Sequence, residues 1–214
     1  MVRLQLKNLC LSSLFIALFF GCSPTQGYKL SRVEVVTSAH VKPIINKDNS
    51  LLYKAKINLY NKYYGGLIVL KQMDPSTAHL VFVTELGMKM FDFEIKNNEF
   101  KLIYVFEPLN QPKILRVLES DMKLILLQSL INKEARIFEK ENKSVYEVRN
   151  GNFKNYYFVN KASKTVDRTI VKGRLFKKEK VNYIYNDSLN AQQIKLKHKG
   201  IIHLKIELNN ISKE

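Results

Sequence analysis

The stretch Tyr53-Lys54-Ala55-Lys56-Ile57-Asn58-Leu59 decides the fold class. Tyr53, Ala55, Ile57 and Leu59 fall on one face and Lys54, Lys56 and Asn58 on the other, the period of two that marks a strand buried on one side only. A sheet with one wet face is antiparallel in most proteins, because parallel sheets are covered on both sides. The segments that follow repeat the pattern. Leu67 to Lys71 reads as a second strand after Gly65-Gly66, and Asp74-Pro75-Ser76 as a turn into a third at His79 to Thr84. Leu86-Gly87 then separates that strand from Met88 to Ile95, and Asn97-Asn98 makes the turn into Phe100 to Phe106. Consecutive strands joined by such short turns form an antiparallel meander.

The period changes at Pro112. Ile114, Leu115, Val117, Leu118, Met122, Ile125, Leu126 and Leu130 follow helical spacing, with Pro112 in the first turn, so the pattern predicts one amphipathic helix from about Lys113 to Asn132. Its apolar stripe is wide, as for a helix lying on a sheet. A Lys/Glu-rich connector, 132–143, leads into further strands at Ser144 to Val148, Asn155 to Val159, Arg168 to Val171, Val181 to Tyr185, Gln193 to His198 and Ile201 to Leu208, with Lys199-Gly200 as the last hairpin turn. A possible strand at Arg32 to Val36 precedes them all, while the ordered core is expected to start near Leu51. The expected fold class is α+β: a strongly curved antiparallel sheet of about ten strands, a half-open β-barrel, whose concave face a long helix plugs.

Ahead of this domain lie a basic start (Arg3, Lys7) and an apolar run from Leu9 to Phe20, a secretion leader too short for a stable membrane span. Its end, Phe19-Phe20-Gly21-Cys22, resembles a bacterial lipobox, which implies cleavage before Cys22 and acylation there, palmitate among the chains. The division expected is 1–21 as leader, 22–50 as anchored tether and first strand, and 51–214 as the folded domain. Cys10 leaves with the leader and Cys22 is consumed by lipid, so no thiol remains for a disulfide, metal or nucleophile. Two or three acyl chains, at about 0.8 kcal/mol per buried methylene, hold a protein on a membrane essentially permanently. The expected location is the bacterial outer membrane, facing the periplasm.

Of the 214 residues, 35 are Lys or Arg and 19 Asp or Glu, a net +16 that stays at +14 once Arg3 and Lys7 are gone. Most lysines alternate with apolar residues, as in Ile194-Lys195-Leu196-Lys197, which makes them the wet face of strands or a surface for anionic head groups rather than a nucleic-acid site. Enzyme signatures are missing: no nucleophile elbow, zinc helix, phosphate loop or dinucleotide fingerprint occurs, and no cofactor is implied. His40, His79, His198 and His203 are dispersed and read as strand or loop residues, and Asp92 with Glu94 reads as a solvated strand face.

Gly66 before an apolar strand, the turn Leu86-Gly87, the lipobox, and the helical stretch Leu115-Arg116-Val117-Leu118-Glu119-Ser120-Asp121-Met122-Lys123-Leu124-Ile125-Leu126 together resemble the LolA and LolB lipoprotein carriers, most of all a LolB-like outer-membrane branch. The resemblance spans about Leu51 to Leu130 and, more loosely, the last hairpin. Glu85 stands where LolB has Pro, and there is no Trp. It implies a half-barrel domain over 51–214 that chaperones acyl chains, acylated lipoproteins or other lipids as cargo, and a soluble periplasmic carrier as donor. It also implies that Leu86, with Met88 beside it, contacts membrane or cargo.

Independently, an acyl-chain carrier needs a large dry concave surface and no catalytic group. The inward sets that would supply it are Ile57, Leu59, Val69, Phe82, Phe91, Phe93, Tyr104 and Phe106 from the sheet, with Leu118, Met122 and Ile125 from the helix. The same residues also suit an ordinary filled core. The two function classes are therefore a non-enzymatic carrier that delivers lipoproteins or another lipid to the outer membrane, and a structural or assembly-partner lipoprotein with a packed sheet that docks a protein through its basic face.

Overall fold

The computed structural model, which describes residues 23–45, 50–74, 76–173, 177–200 and 202–212, holds thirteen strands, and alternation of the Tyr53 to Leu59 kind recurs in several of them while others are buried on both faces. The leader and the lipidation residue Cys22 lie outside the described residues. The strands are β1 (Lys29–Val35), β2 (Ser50–Leu59), β3 (Lys62–Asp74), β4 (Thr77–Thr84), β5 (Lys89–Lys96) and β6 (Glu99–Val105), then β7 (Glu134–Lys140), β8 (Lys143–Asn150), β9 (Phe153–Asn160), β10 (Val166–Lys172), β11 (Lys177–Tyr185), β12 (Ala191–His198) and β13 (Leu204–Asn210). A single α-helix among the described residues, α1 (Pro112–Ile125), separates β6 from β7.

All thirteen strands share one sheet in the order β1-β7-β8-β9-β10-β11-β12-β13-β2-β3-β4-β5-β6, and every pairing is antiparallel. Two meanders, β2 to β6 and β7 to β13, are sewn together where β13 pairs with β2, matching Ile206 to Ile57. The half-open barrel of about ten strands is thus corrected to an unclosed sheet of thirteen. The added strand is β7, which falls in the stretch read as a connector: its Ala135 and Ile137 point inward between Arg136 and charged ends, so alternation was hidden by Lys and Glu. The sheet nevertheless curls. A cleft of about 780 Å³ is lined both by Thr37 and Lys133 at the β1/β7 edge and by Asn97 and Asn98 in the β5–β6 turn, which brings the two ends of the strand order together.

The inner face is a continuous apolar surface. Tyr53, Ile68, Phe82 and Phe91 are successive cross-strand partners from β2 to β5, and all are buried. On the other side of the seam Ile206, Leu196 and Val181 extend the row begun by Ile57. Val36, Val41, Ile44 and Ile45, from before Leu51, belong to the same core cluster. A second, small cluster of Val145, Tyr156, Phe158 and Ile170 sits apart, with Tyr28 over it and the Arg168 guanidinium 4.1 Å from the Phe158 ring.

Helix α1 is shorter than the spacing predicted, ending at Ile125 rather than Asn132. The Leu127 N–H closes a tighter last turn on the Leu124 carbonyl at 3.1 Å, and Leu127 itself adopts φ +59°, so the chain leaves the helix there. Leu126, Leu127 and Leu130 remain buried, so the helical periodicity continued because an irregular segment covers the same core. No helix among the described residues is long and apolar enough to cross a membrane.

Candidate functional site

The site is the interface between α1 and the inner face of the sheet. Pro112 opens the helix at a position where a missing N–H costs nothing, and the chain then buries Ile114, Leu118, Asp121, Met122, Leu124 and Ile125. Tyr183 of β11 donates its hydroxyl hydrogen to the Leu124 carbonyl at 2.9 Å, tying the last turn to the sheet, and burial pushes the Tyr183 phenol well above its usual range. On the half-buried flank Lys123 pairs with Glu119 one turn earlier.

Of the residues expected to form an acyl-chain cavity, Ile57, Leu59, Phe82, Phe91, Phe93, Leu118, Met122 and Ile125 are all buried in this one core, and Phe106 packs against it half-buried. They are close-packed here. Ring centroids lie 5.2 Å apart for Phe82–Phe91, 5.5 Å for Phe91–Phe93 and 4.8 Å for Phe93–Phe100. Val69 and Tyr104 are different: they are 40% and 42% exposed, on the outer face, which corrects their inward assignment. Leu67-Ile68-Val69-Leu70 is apolar on both faces, so pattern alone could not set its phase. Tyr104 is displaced by a register shift that pairs Phe93 with Leu102 but Asp92 with Tyr104.

Leu86 occupies the tip of the β4–β5 hairpin and is 92% exposed, with Met88 beside it also exposed. The tip is built by Gly87 at φ +81°, whose N–H returns to the Thr84 carbonyl at 2.9 Å, while Met88 N–H bonds the Thr84 hydroxyl at 3.1 Å. An ordered turn therefore holds an apolar side chain out in water. Asp92, expected on a solvated face, is instead buried, accepting from Lys89 Nζ at 3.0 Å and lying 2.7 Å from His79 Nε2. These partners hold its carboxyl below the usual range although burial works the other way.

The residues that the sequence reading missed are Asp121 of α1, Glu179 of β11 and His198 of β12, which are 0%, 2% and 3% exposed. His198 Nδ1 lies 3.1 Å from Asp121 Oδ1 and 3.4 Å from Glu179 Oε1, and Lys178 Nζ approaches Glu179 Oε1 at 3.6 Å. Burial, reinforced by the neighbouring Asp121 charge, pushes the Glu179 carboxyl up to about 7; burial also raises Asp121, against the pull of His198. Each residue carries the same signal, a polar side chain in an apolar phase. Asp121 lies between Leu118 and Met122 on the buried helix stripe, Glu179 shares its phase with Val181 and Tyr183, and His198 shares its own with Ile194 and Leu196. In the sequence, the lysine-rich setting of Glu179 and His198 concealed it.

No protein-family model matches the chain. No curated protein matches it by sequence either. Solved structures do. A LolA superfamily protein from Nitrosomonas europaea superimposes with a TM-score of 0.51 at 8% identity, over 83% of this chain and 93% of that one. A domain described as an outer membrane lipoprotein-sorting protein, from Vibrio parahaemolyticus, gives a TM-score of 0.46 at 8% identity over 82% and 87%. A DUF1329 family protein from Desulfovibrio piger gives 0.41 at 12% over 80% and 89%. With an unclosed antiparallel sheet, a single helix among the described residues on its inner face, and superposition over most of both chains, the protein shares its fold with the LolA superfamily structure from Nitrosomonas europaea.

Proposed function

We propose that this chain is a non-enzymatic lipoprotein, anchored through acylated Cys22 to the bacterial outer membrane and facing the periplasm, that binds acyl chains and helps deliver lipoproteins or another lipid to that membrane. The observation that carries this reading is the LolA-superfamily architecture itself, with α1 lying over an apolar inner face. Each methylene moved from water to such a face is worth about 0.8 kcal/mol, and nothing but dry surface is required of the protein. The donor is a soluble periplasmic carrier, and Leu86 with Met88 forms the contact for membrane or cargo, since an ordered turn presenting a leucine 92% exposed suits insertion among acyl chains. The inner face is filled in the present arrangement, so uptake requires α1 to move away from Phe82, Phe91 and Phe93.

The test is mass spectrometry of lipids that co-purify from the periplasm with a Cys22→Ala protein bearing a cleavable leader. Stoichiometric acyl lipid or acylated protein supports the carrier and names its cargo. An empty, folded protein that also fails to take up a fluorescent fatty acid overturns it. Leu118→Arg is expected to abolish lipid uptake, with circular dichroism reporting whether the fold persists.

One observation favours the assembly-partner reading. Lys180, Lys197 and Lys205 sit directly opposite one another on β11, β12 and β13, a like-charge row that costs stability unless an anionic partner covers it. A protein docked there would be lost on Lys197→Glu, whereas acyl-chain binding would survive that change.

A further inference from the structure

Asp121, Glu179 and His198 come from three different elements, and their donor atoms all lie within 4.8 Å of one another. We infer that they form a site for a divalent transition cation of the zinc class, clamped between α1 and the β11–β12 pair. Zinc takes imidazole nitrogen and carboxylate oxygen at about 2.0–2.2 Å, so the edge of its coordination tetrahedron is about 3.4 Å. The His198 Nδ1 separations from Asp121 Oδ1 and Glu179 Oε1, 3.1 and 3.4 Å, match that edge.

Charge points the same way. Once deprotonated, as ligands must be, the cluster bears two negative charges in the core, which a divalent cation cancels; Lys178, itself partly exposed, reaches only one oxygen of Glu179. Asp121 Oδ2 and Glu179 Oε2 are buried with no donor group of the protein beside them, so only a proton shared between the two carboxyls or a bound cation satisfies them. Room for a completing water exists on the Glu179 side. A cavity of about 90 Å³ reaches Glu179 and is lined by the polar side chains of Ser120, Ser129 and Asn155. The site differs from the acyl-chain reading in residues and chemistry, and stands or falls separately from it.

The experiment uses the folded, tag-free chain stripped with a chelator and then titrated with Zn²⁺ alone, and in parallel with Mn²⁺ alone. Bound metal is counted by elemental analysis after gel filtration, and the thermal midpoint is followed. The expected result is one equivalent of Zn²⁺ per chain and a midpoint raised by roughly 5–10 °C at a hundredfold excess over Kd. Both should be lost in Asp121→Asn, which keeps the side-chain shape, and in His198→Gln, while His79→Gln retains both as a control for surface histidines. Failure of the folded wild-type chain to bind either metal overturns the inference and leaves the cluster held by protons. Stoichiometric binding that survives both Asp121→Asn and His198→Gln also overturns it, because the metal then sits elsewhere.

Discussion

Replacing Gly66 with alanine is the sharpest available probe of how tightly β3 and β4 approach one another. A Cβ built on Gly66 would stand 2.1 Å from the Val83 carbonyl oxygen, 2.8 Å from Thr84 Cα and 2.9 Å from Phe82 Cε2. The first two are backbone atoms of β4, which is held on its far side by β5 through Phe82–Phe91 and Val83–Lys89. Relief of the contact with the Val83 oxygen takes a displacement of about 1 Å or more, and a close-packed sheet has no slack to give it. Overpacking that side chains can absorb costs about 1–3 kcal/mol, so a clash against paired backbone should cost about 3 kcal/mol or more. For a domain of this size that is a fall in Tm of roughly 6–12 °C. Gly65→Ala is the matched control, because its Cβ would meet only the ends of flexible side chains, Tyr63 Oη at 3.0 Å and Glu85 Oε1 at 3.2 Å, and it should change stability by well under 1 kcal/mol in magnitude. Urea titration with a common m-value separates the two. If Gly66→Ala lies within about 1 kcal/mol of wild type, the close approach of β3 and β4 is wrong.

Three further outcomes follow from burial and charge. Met122→Ala, at a fully buried position on α1, should cost about 2–5 kcal/mol by urea titration, and a loss below about 1 kcal/mol would mean that the helix is not packed on the sheet. Leu86→Ser should leave stability within about 0.5 kcal/mol yet reduce binding to lipid vesicles in flotation; unchanged flotation would remove the hairpin tip from the membrane contact. Asp74 accepts from the Ser76 hydroxyl and backbone N–H, which lower its carboxyl pKa to about 2. A depressed folded pKa contributes stability that is present above the unfolded value and lost as pH falls from about 4 to about 2. Asp74→Asn should therefore flatten the stability curve in that window, and an unaltered slope there would argue against the turn.

Much of this architecture was legible because its information is local. Tyr53 to Leu59 declares its inner face in four alternating residues, and Asn97-Asn98 declares a hairpin because both adopt positive φ. What was not legible depends on partners distant in sequence. Val69 has apolar neighbours on both sides, so only pairing with β2 and β4 reveals that it faces out. The Glu134–Lys140 segment looks like a charged connector until β1 and β8 flank it, after which Ala135 and Ile137 become inward residues of a central strand. Asp121, Glu179 and His198 are the extreme case. Each is a single polar residue in an apolar phase, and their convergence is created by the crossing of α1 over β11 and β12, which no spacing in the chain encodes.

The helix is where the two proposals exert force on each other. Asp121 shares its face with Leu118, Met122 and Ile125, so an acyl chain that enters beneath α1 must also draw Asp121 away from His198 and Glu179. A cation that binds only the closed arrangement opposes that movement by its own binding free energy, about 2.7 kcal/mol at a hundredfold excess over Kd. Fourteen methylenes at about 0.8 kcal/mol each offer about 11 kcal/mol gross, before the cost of separating helix from sheet. The hydrophobic term is the larger, so a bound cation would tune acyl affinity rather than forbid uptake. Reciprocity makes this measurable from either side: whatever factor the cation takes from acyl-chain affinity, a bound acyl chain must take from cation affinity. Equal cation affinity with and without fatty acid would mean that the chain enters somewhere other than beneath α1, and the inner face between the helix and β11–β12 would then be structural core alone.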